Sequence, residues 1–388
     1  MECRDLRIAL IGVGNMGKKY AAMITSGEVP HMKLSAVVIR KDELMEWGRS
    51  LINVDGEKTA IFRNTQDLFN SPDLYDAVII ATPHKTHRDI ALEAFRLKKD
   101  VLCDKPAAAD IGEAEDMENA AANNDCIYGM VFHQRLYAKY RKLKELIDSG
   151  AIGIIKRVCL INSRYLRTAH YHSSSPWRSS FCGEGGGALI NQGQHILDMW
   201  QYLFGMPQEL YASIPFGKYN DFAVDDEATI IMRYDDGMTG TFILSTGEAC
   251  CEERLEVIGT KGRALLIDNT LTLTKHQDVT GYIRDAAANS REDMEFTEET
   301  IEFEKLPEPY TALLEKFAQA SVRHDDSLLA AKGAEGINSL MLCASAYYSA
   351  YNNISVQLPL KADDYRQLMS ELIANEKSVQ NQILHREV

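Results

Sequence analysis

"LRIALIGVGNMGKKYAAMITSG", residues 6–27, decides the fold. Leu6 to Ile11 is a short apolar run rich in branched side chains, the texture of a buried strand. Gly12, Gly14 and Gly17 then stand in G-x-G-x-x-G spacing, and a helical pattern follows. Each glycine has its own reason: Gly12 permits the tight turn, Gly14 lets backbone approach a pyrophosphate, and Gly17 lets the helix pack on the strand. The spacing alone is weak, because glycine turns are common. A strand before it and a helix after it supply the context the motif needs. Phosphate is expected on the amides at the helix start, around Asn15 and Met16.

Outward from that stretch, strands and helices alternate. "KLSAVVI", "YDAVIIAT", "KDVLCDKP" and "CIYGMVF" read as strands, with helical segments such as "THRDIALEAFRLKK" between them. That alternation predicts a parallel, doubly wound sheet. After about Gly150 the pattern changes to strands joined by turns, with hairpin signals at Asp235-Asp236-Gly237 and Gly259–Gly262. The fold class expected is α/β: a Rossmann dinucleotide-binding domain over 1–130, then an α+β domain over 131–388 with a large, mostly antiparallel open sheet. "YTALLEKFAQASV" and "AEGINSLMLCASAYYSAYNN" read as helices of that second domain, and the polar stretch from Lys361 as one more.

The chain has 388 residues and a formal charge of -14, which repels nucleic acid and anionic membranes. Its longest apolar runs are strand-sized, and "MECRDLRIALIG" lacks the apolar core of a signal peptide, so a cytoplasmic protein is expected. Eight scattered cysteines show no disulfide or metal-ligand spacing. Ten histidines invite a metal reading, and His84 and His87 are three apart, but no third ligand is evident and no metal is expected.

At the end of the second strand an acid would grip the ribose of NAD, whereas an arginine would suit the phosphate of NADP. Arg40 stands there. It leans toward NADP, yet could equally stack on the adenine of NAD or be a solvated charge, so the cofactor is read as NAD or NADP.

"GEGGGALINQGQHILD", residues 183–198, is the second informative stretch. A buried-helix pattern carries polar Asn191 and His195 four residues apart, on one face, able to point at one object.

Together these segments resemble the glucose–fructose oxidoreductase / inositol dehydrogenase / MocA-like (Gfo/Idh/MocA) oxidoreductases over nearly the whole chain. "ATPHKTHRDIALEAFRLKKDVLCDKP" is similar to the family's A-T-P-N-x-x-H segment and E-K-P motif. "RKLKELIDSGAIGIIKRV" is similar to its linker, "GEGGGALINQGQHILD" to its G-G-G-x-L-x-D-x-G-x-H-x-x-D motif, and "NISVQLPL" to its C-terminal strand. The resemblance implies that Lys105 meets the nicotinamide and the reacting hydroxyl, and that His195 is catalytic. It also implies cofactor contacts from Thr82, His84, His87 and Asp104. Asp104 replaces the family's glutamate, and Asn191 its aspartate four before the histidine. An amide can orient or hydrogen-bond but cannot take a proton, so the base role falls on His195 and a substrate-binding role on Asn191. An imidazole titrates near neutrality, which suits that base.

"RYLRTAHYHSSSPWRSS", residues 164–180, is a polar, aromatic segment before the glycines. Arg167, Tyr171, Trp177 and Arg178 are candidates to stack on and hydrogen-bond a polyol or sugar. His133 and Arg135, after the last strand of the first domain, are further substrate candidates.

The expected activity is oxidation of a secondary hydroxyl, with C3 of a pyranose as leading candidate, in a sugar, glycoside or cyclitol. Two alternatives stand beside it: a redox glycosidase that recycles a tightly held cofactor, and a non-enzymatic sugar or dinucleotide sensor. Strands such as "ATIIMRY" are apolar on both alternations, and family members pair through the open sheet face, so a homodimer or homotetramer is expected.

Overall fold

The computed structural model describes residues 5–175, 177–285 and 294–384. The chain divides into two compact units, one made of 1–136 with 306–340 and the other of 137–305 with 341–388.

In the first unit, six parallel strands stand in the order β3-β2-β1-β4-β5-β6. They are β1 (Leu6–Ile11), β2 (Met32–Val38), β3 (Ala60–Phe62), β4 (Ala77–Ile80), β5 (Asp100–Cys103) and β6 (Tyr128–Met130). This is the doubly wound order, with the chain reversing direction across the sheet between β1 and β4. Ala77 to Ile80 are wholly buried, as a strand covered on both faces must be.

The first unit is not a continuous piece of sequence. Helix Pro309–Arg323, expected in the second domain, belongs here. Its Leu313, Leu314, Phe317 and Ala320 join the core cluster that contains Leu6, Ile8 and Leu34. The correction has a simple cause: the helix's apolar stripe fits any sheet face, and its periodicity does not say which one.

The second unit holds a nine-stranded sheet in the order β14-β13-β12-β11-β7-β10-β9-β8-β15. Its strands are β7 (Ile155–Asn162), β8 (Glu209–Ser213), β9 (Glu227–Arg233), β10 (Thr239–Ser245), β11 (Glu253–Gly259), β12 (Gly262–Ile267), β13 (Thr270–His276), β14 (Phe296–Ile301) and β15 (Val356–Gln357). All neighbours are antiparallel except β7 and β10. Both hairpin signals fall at hairpins, β9 to β10 and β11 to β12. One face is packed: Ile230, Met232, Phe242, Leu255, Val257, Leu266 and Leu273 are buried. On the other, Tyr211, Ile231, Thr241, Cys159, Glu256, Leu265 and Thr272 form one register row across seven strands. Ile231 is 49% exposed there and Tyr211 38%.

Among the described residues, no helix is long and apolar enough to cross a membrane.

Candidate functional site

Two sets of residues are built independently, one in each unit. In the first, β1 ends at Gly12 (φ 102°), and helix Asn15–Thr25 begins without a side chain capping its first turn. A Cβ on Gly12 would lie 2.3 Å from the Ala81 carbonyl oxygen, and one on Gly17 only 1.9 Å from that of Gly12. Those two glycines are demanded by backbone packed on backbone. Gly14 differs: nothing lies within 4 Å of where its Cβ would stand. Open space beside uncapped helix amides is what a bound pyrophosphate requires, so the residues present fit a dinucleotide. Asn15 is exposed and Met16 half-buried beside it, while Arg40 is exposed just past β2.

β4 and β5 deliver the next residues. Thr82 and His84 follow β4 and are half-buried. His87 is wholly buried; its Nδ1 lies 3.0 Å from the Pro106 carbonyl oxygen and its Nε2 2.8 Å from that of Thr82. Burial pushes this imidazole below its ordinary range. Expected as a cofactor contact, His87 instead braces the two segments that carry Thr82 and Lys105. Its fully enclosed ring presents no surface to a ligand.

Asp104 sits at the end of β5 and accepts from the Tyr20 hydroxyl at 3.0 Å and from the Lys105 amide at 2.8 Å. Burial raises its carboxyl, and the charge of Lys105 opposes that rise. Lys105 itself precedes a cis bond to Pro106 and is half-buried.

His133 and Arg135 follow β6 in a single 3-10 turn, His133–Leu136. The His133 ring stacks on Tyr310 at 3.9 Å between centroids, and the Lys19 ammonium lies 3.6 Å from the other ring's centroid. Burial holds His133 down at about 4, and the charges of Lys19 and Lys105 push the same way. Arg135 is 3% exposed and ion-paired to Glu335 at 2.6 Å. That burial makes it a brace between β6's extension and helix Gly333–Asn352 rather than the substrate contact expected of it.

In the second unit the glycine run is explained by a carboxylate that its sequence does not announce. Asp225 is buried, accepting from the Gly187 amide (2.8 Å), the Leu189 amide (2.7 Å) and the Tyr347 hydroxyl (2.6 Å). Burial raises its carboxyl against those three donors. It thereby anchors the start of the helical run Ala188–Asn191 and Gly193–Phe204. A Cβ on Gly186 would fall 2.3 Å from the Tyr347 hydroxyl, and one on Gly187 1.9 Å from the Asp225 carbonyl oxygen.

On that anchored run, every residue from 186 to 201 is buried except Asn191 and His195. The two polar positions four residues apart are the pair that reaches the surface.

Asn191 donates to Glu184 Oε1 and, at 3.2 Å, to the Tyr171 hydroxyl. The same hydroxyl accepts from Gln192 at 3.0 Å and from Arg178 at 2.7 Å. Arg167 and Arg178 lie over the Tyr171 ring, and Arg178 also over Trp177. The structure therefore brings Arg167, Tyr171, Trp177, Arg178 and Asn191 together. Sequence reasoning missed Glu184, which is 5% exposed and takes the Ser179 amide at 2.8 Å. Its only signal was its place beside the glycines.

Among the described residues, no group of three or more His, Cys, Asp or Glu side chains is arranged to hold a metal ion.

Comparison with known proteins fits this geometry. Residues 6–132 match the oxidoreductase family with an NAD-binding Rossmann fold, and residues 140–265 match the Gfo/Idh/MocA C-terminal domain. The chain belongs to the Gfo/Idh/MocA oxidoreductase family. With that family it shares the NAD-binding Rossmann fold of an oxidoreductase. It is 27% identical to the myo-inositol 2-dehydrogenase of Thermotoga maritima over 285 residues, 70% of this chain and 79% of that one. It is 28% identical to the levoglucosan dehydrogenase of Pseudarthrobacter phenanthrenivorans over 207 residues, 52% of each. Among solved structures, the WlbA dehydrogenase of Bordetella pertussis with NADH and UDP-GlcNAcA superposes with a TM-score of 0.74 at 20% identity, covering 92% of this chain and all of that one.

Proposed function

We propose that this oxidoreductase converts a secondary hydroxyl of a sugar, glycoside or cyclitol to a ketone, with C3 of a pyranose as the leading position. The observation that carries the reading is the exposure of Asn191 and His195 alone on a helical run whose start is locked by Asp225. NAD, when bound, supplies the hydride acceptor. His195 acts as base for the hydroxyl proton, and Lys105 assists. Asn191 orients the substrate with its amide, which its bonds to Glu184 and Tyr171 hold in one direction. Gly14 and the amides at Asn15 and Met16 hold the pyrophosphate, with Thr82, His84 and Asp104 nearby.

The test is direct. Purified protein, freed of bound dinucleotide, is mixed with NAD or NADP and a panel of glycosides and inositols, and the reduced-nicotinamide absorbance is followed. Growth of that band with ketone formation is expected. His195→Ala and Lys105→Ala are each expected to lower kcat by about 10²–10⁴-fold while dinucleotide binding persists. Near-normal turnover in either variant would refute the assignment. Sugar release without net cofactor reduction would favour the redox-glycosidase alternative.

The proposed assembly is a homodimer or homotetramer formed through the open face of the second sheet, supported by the exposure of Tyr211 and Ile231 on it.

A further inference from the structure

The segment after β7 carries more positive charge than a neutral polyol would need. Arg167 and Arg178 place their guanidinium carbons 4.4 and 4.5 Å from the centroid of the Tyr171 ring. Two full charges thus share one aromatic side chain, in a protein whose net charge is -14. The two guanidiniums therefore lie within about 9 Å of each other, where like charges repel unless an anion offsets them.

The protein offsets only one of them. Glu184, which also accepts from Asn191 and from the Ser179 amide, pairs with Arg178 at 4.0 Å. Arg167 forms no ion pair among the described residues. Asp226, wholly buried, accepts from the Lys218, Tyr219 and Asn220 amides. The Tyr171 hydroxyl already takes three donors.

The cluster is also short of acceptors. Nε of Arg167 and Nε of Arg178 are buried with no hydrogen-bond partner. The His172 ring sits 5.3 Å from Tyr171, and burial depresses its imidazole. Asp226 opposes that fall, while both arginines add to it, so their field reaches the ring. Both arginines are only half-buried, which leaves part of each guanidinium reachable. Through Tyr171 the cluster is tied to Asn191, four residues from His195.

We propose that Arg167 and Arg178 recognise an anionic group, a carboxylate or a phosphate, carried by the substrate, so that the enzyme acts on acidic sugars in preference to neutral ones. A planar guanidinium fork matches either anion bidentately. The proposal rests on reading 164–180 as part of the substrate site, and a hydroxyl-bearing ligand alone would not require two cations on one ring.

The test uses the full chain with its cofactor and three matched probes: a hexose, the corresponding hexuronate and the hexose phosphate. One acidic probe is expected to show a KM about tenfold or more below that of the neutral hexose, and which one it is separates carboxylate from phosphate. Arg167→Gln and Arg178→Gln are each expected to raise that KM by about tenfold more than they raise the neutral hexose's, and the lysine variants to recover part of the loss. Equal KM for charged and neutral probes in the native enzyme overturns the proposal. So does a glutamine variant that impairs all three probes alike, since that is the signature of a structural role. Calorimetric titration with the same probes needs no turnover. Acid-selective binding that Arg167→Gln abolishes, without oxidation of any probe, would sink the dehydrogenase reading and uphold this one; oxidation without acid preference would do the reverse.

Discussion

The Tyr347 hydroxyl donates to Asp225 Oδ1 at 2.6 Å, across 122 residues of chain. Asp225 in turn holds the Gly187 and Leu189 amides, so one carboxylate joins helix Gly333–Asn352 to the start of the run that carries His195. Removing the acid takes the acceptor from the buried Leu189 amide and Tyr347 hydroxyl and leaves the Gly187 amide only the Tyr347 hydroxyl at 3.3 Å. Asp225→Ala is expected to destabilise the protein by on the order of 4 kcal/mol, and Tyr347→Phe by about 1 kcal/mol. Urea midpoints measure both, and equal values for the two variants would show that Asp225 is not the anchor.

Asn191 stands where the family's motif is expected to carry an aspartate, and its neighbour here is acidic. Its amide donates to Glu184, which is 5% exposed. Asn191→Asp would set two carboxylates against each other, and one of them would have to hold a proton. The variant, although restoring the family's residue, is expected to lose at least about tenfold in kcat/KM at neutral pH and to recover as pH falls. A variant more active than the native enzyme at neutral pH would refute this account of the departure.

His133 gives the fold an acid sensitivity. Its folded value is about 4 against 6.5 for the free side chain. Between those values the unfolded chain binds the extra proton, so folding loses stability as pH falls through that window. Above about pH 7 there is no penalty, and below pH 4 it is constant, on the order of 3 kcal/mol. His133→Phe keeps the stack on Tyr310 and removes the titration. Its thermal midpoint should fall less than the native one between pH 6.5 and 4; parallel profiles would show that the ring is not depressed.

Arg40 stands exposed just past β2, where dinucleotide ribose is expected to lie. An acid at that position would bind ribose hydroxyls and repel a phosphate. Arg40→Asp is expected to shift the ratio of kcat/KM for NAD over NADP toward NAD by about tenfold or more. An unchanged ratio would place Arg40 outside the cofactor site.

Ile231 and Tyr211 lie in one register row on the open face of the second sheet. Light scattering at low micromolar concentration is expected to give a dimer or tetramer, and Ile231→Arg to shift it toward monomer. A clean monomer for the native protein would show that the chain itself leaves this face to solvent.

Much of this was legible in the sequence, for local reasons. The strand–glycine–helix stretch at 6–27 and the two hairpin turns are set by residues within a few positions of one another. The i, i+4 spacing of Asn191 and His195 needed only helical geometry. What was not legible depended on partners far along the chain. The roles of Gly186 and Gly187 are set by Tyr347 and Asp225, and Arg135 is engaged by Glu335, 200 residues away. No local pattern distinguishes an arginine that will meet a ligand from one that will meet a glutamate inside the fold. His87 misled for the same reason: a motif places it near the cofactor loop, and only burial reveals that its ring faces two carbonyls.

The return of 306–340 to the first unit has a consequence during synthesis. A ribosome that has released residue 136 has made all six parallel strands but not the helix whose Leu313, Leu314 and Phe317 join their core. At ordinary elongation rates the sheet waits roughly ten to thirty seconds for that cover. During the wait the nascent Rossmann sheet presents apolar surface that a holding chaperone would recognise, and a fragment ending near residue 136 would keep that surface for good.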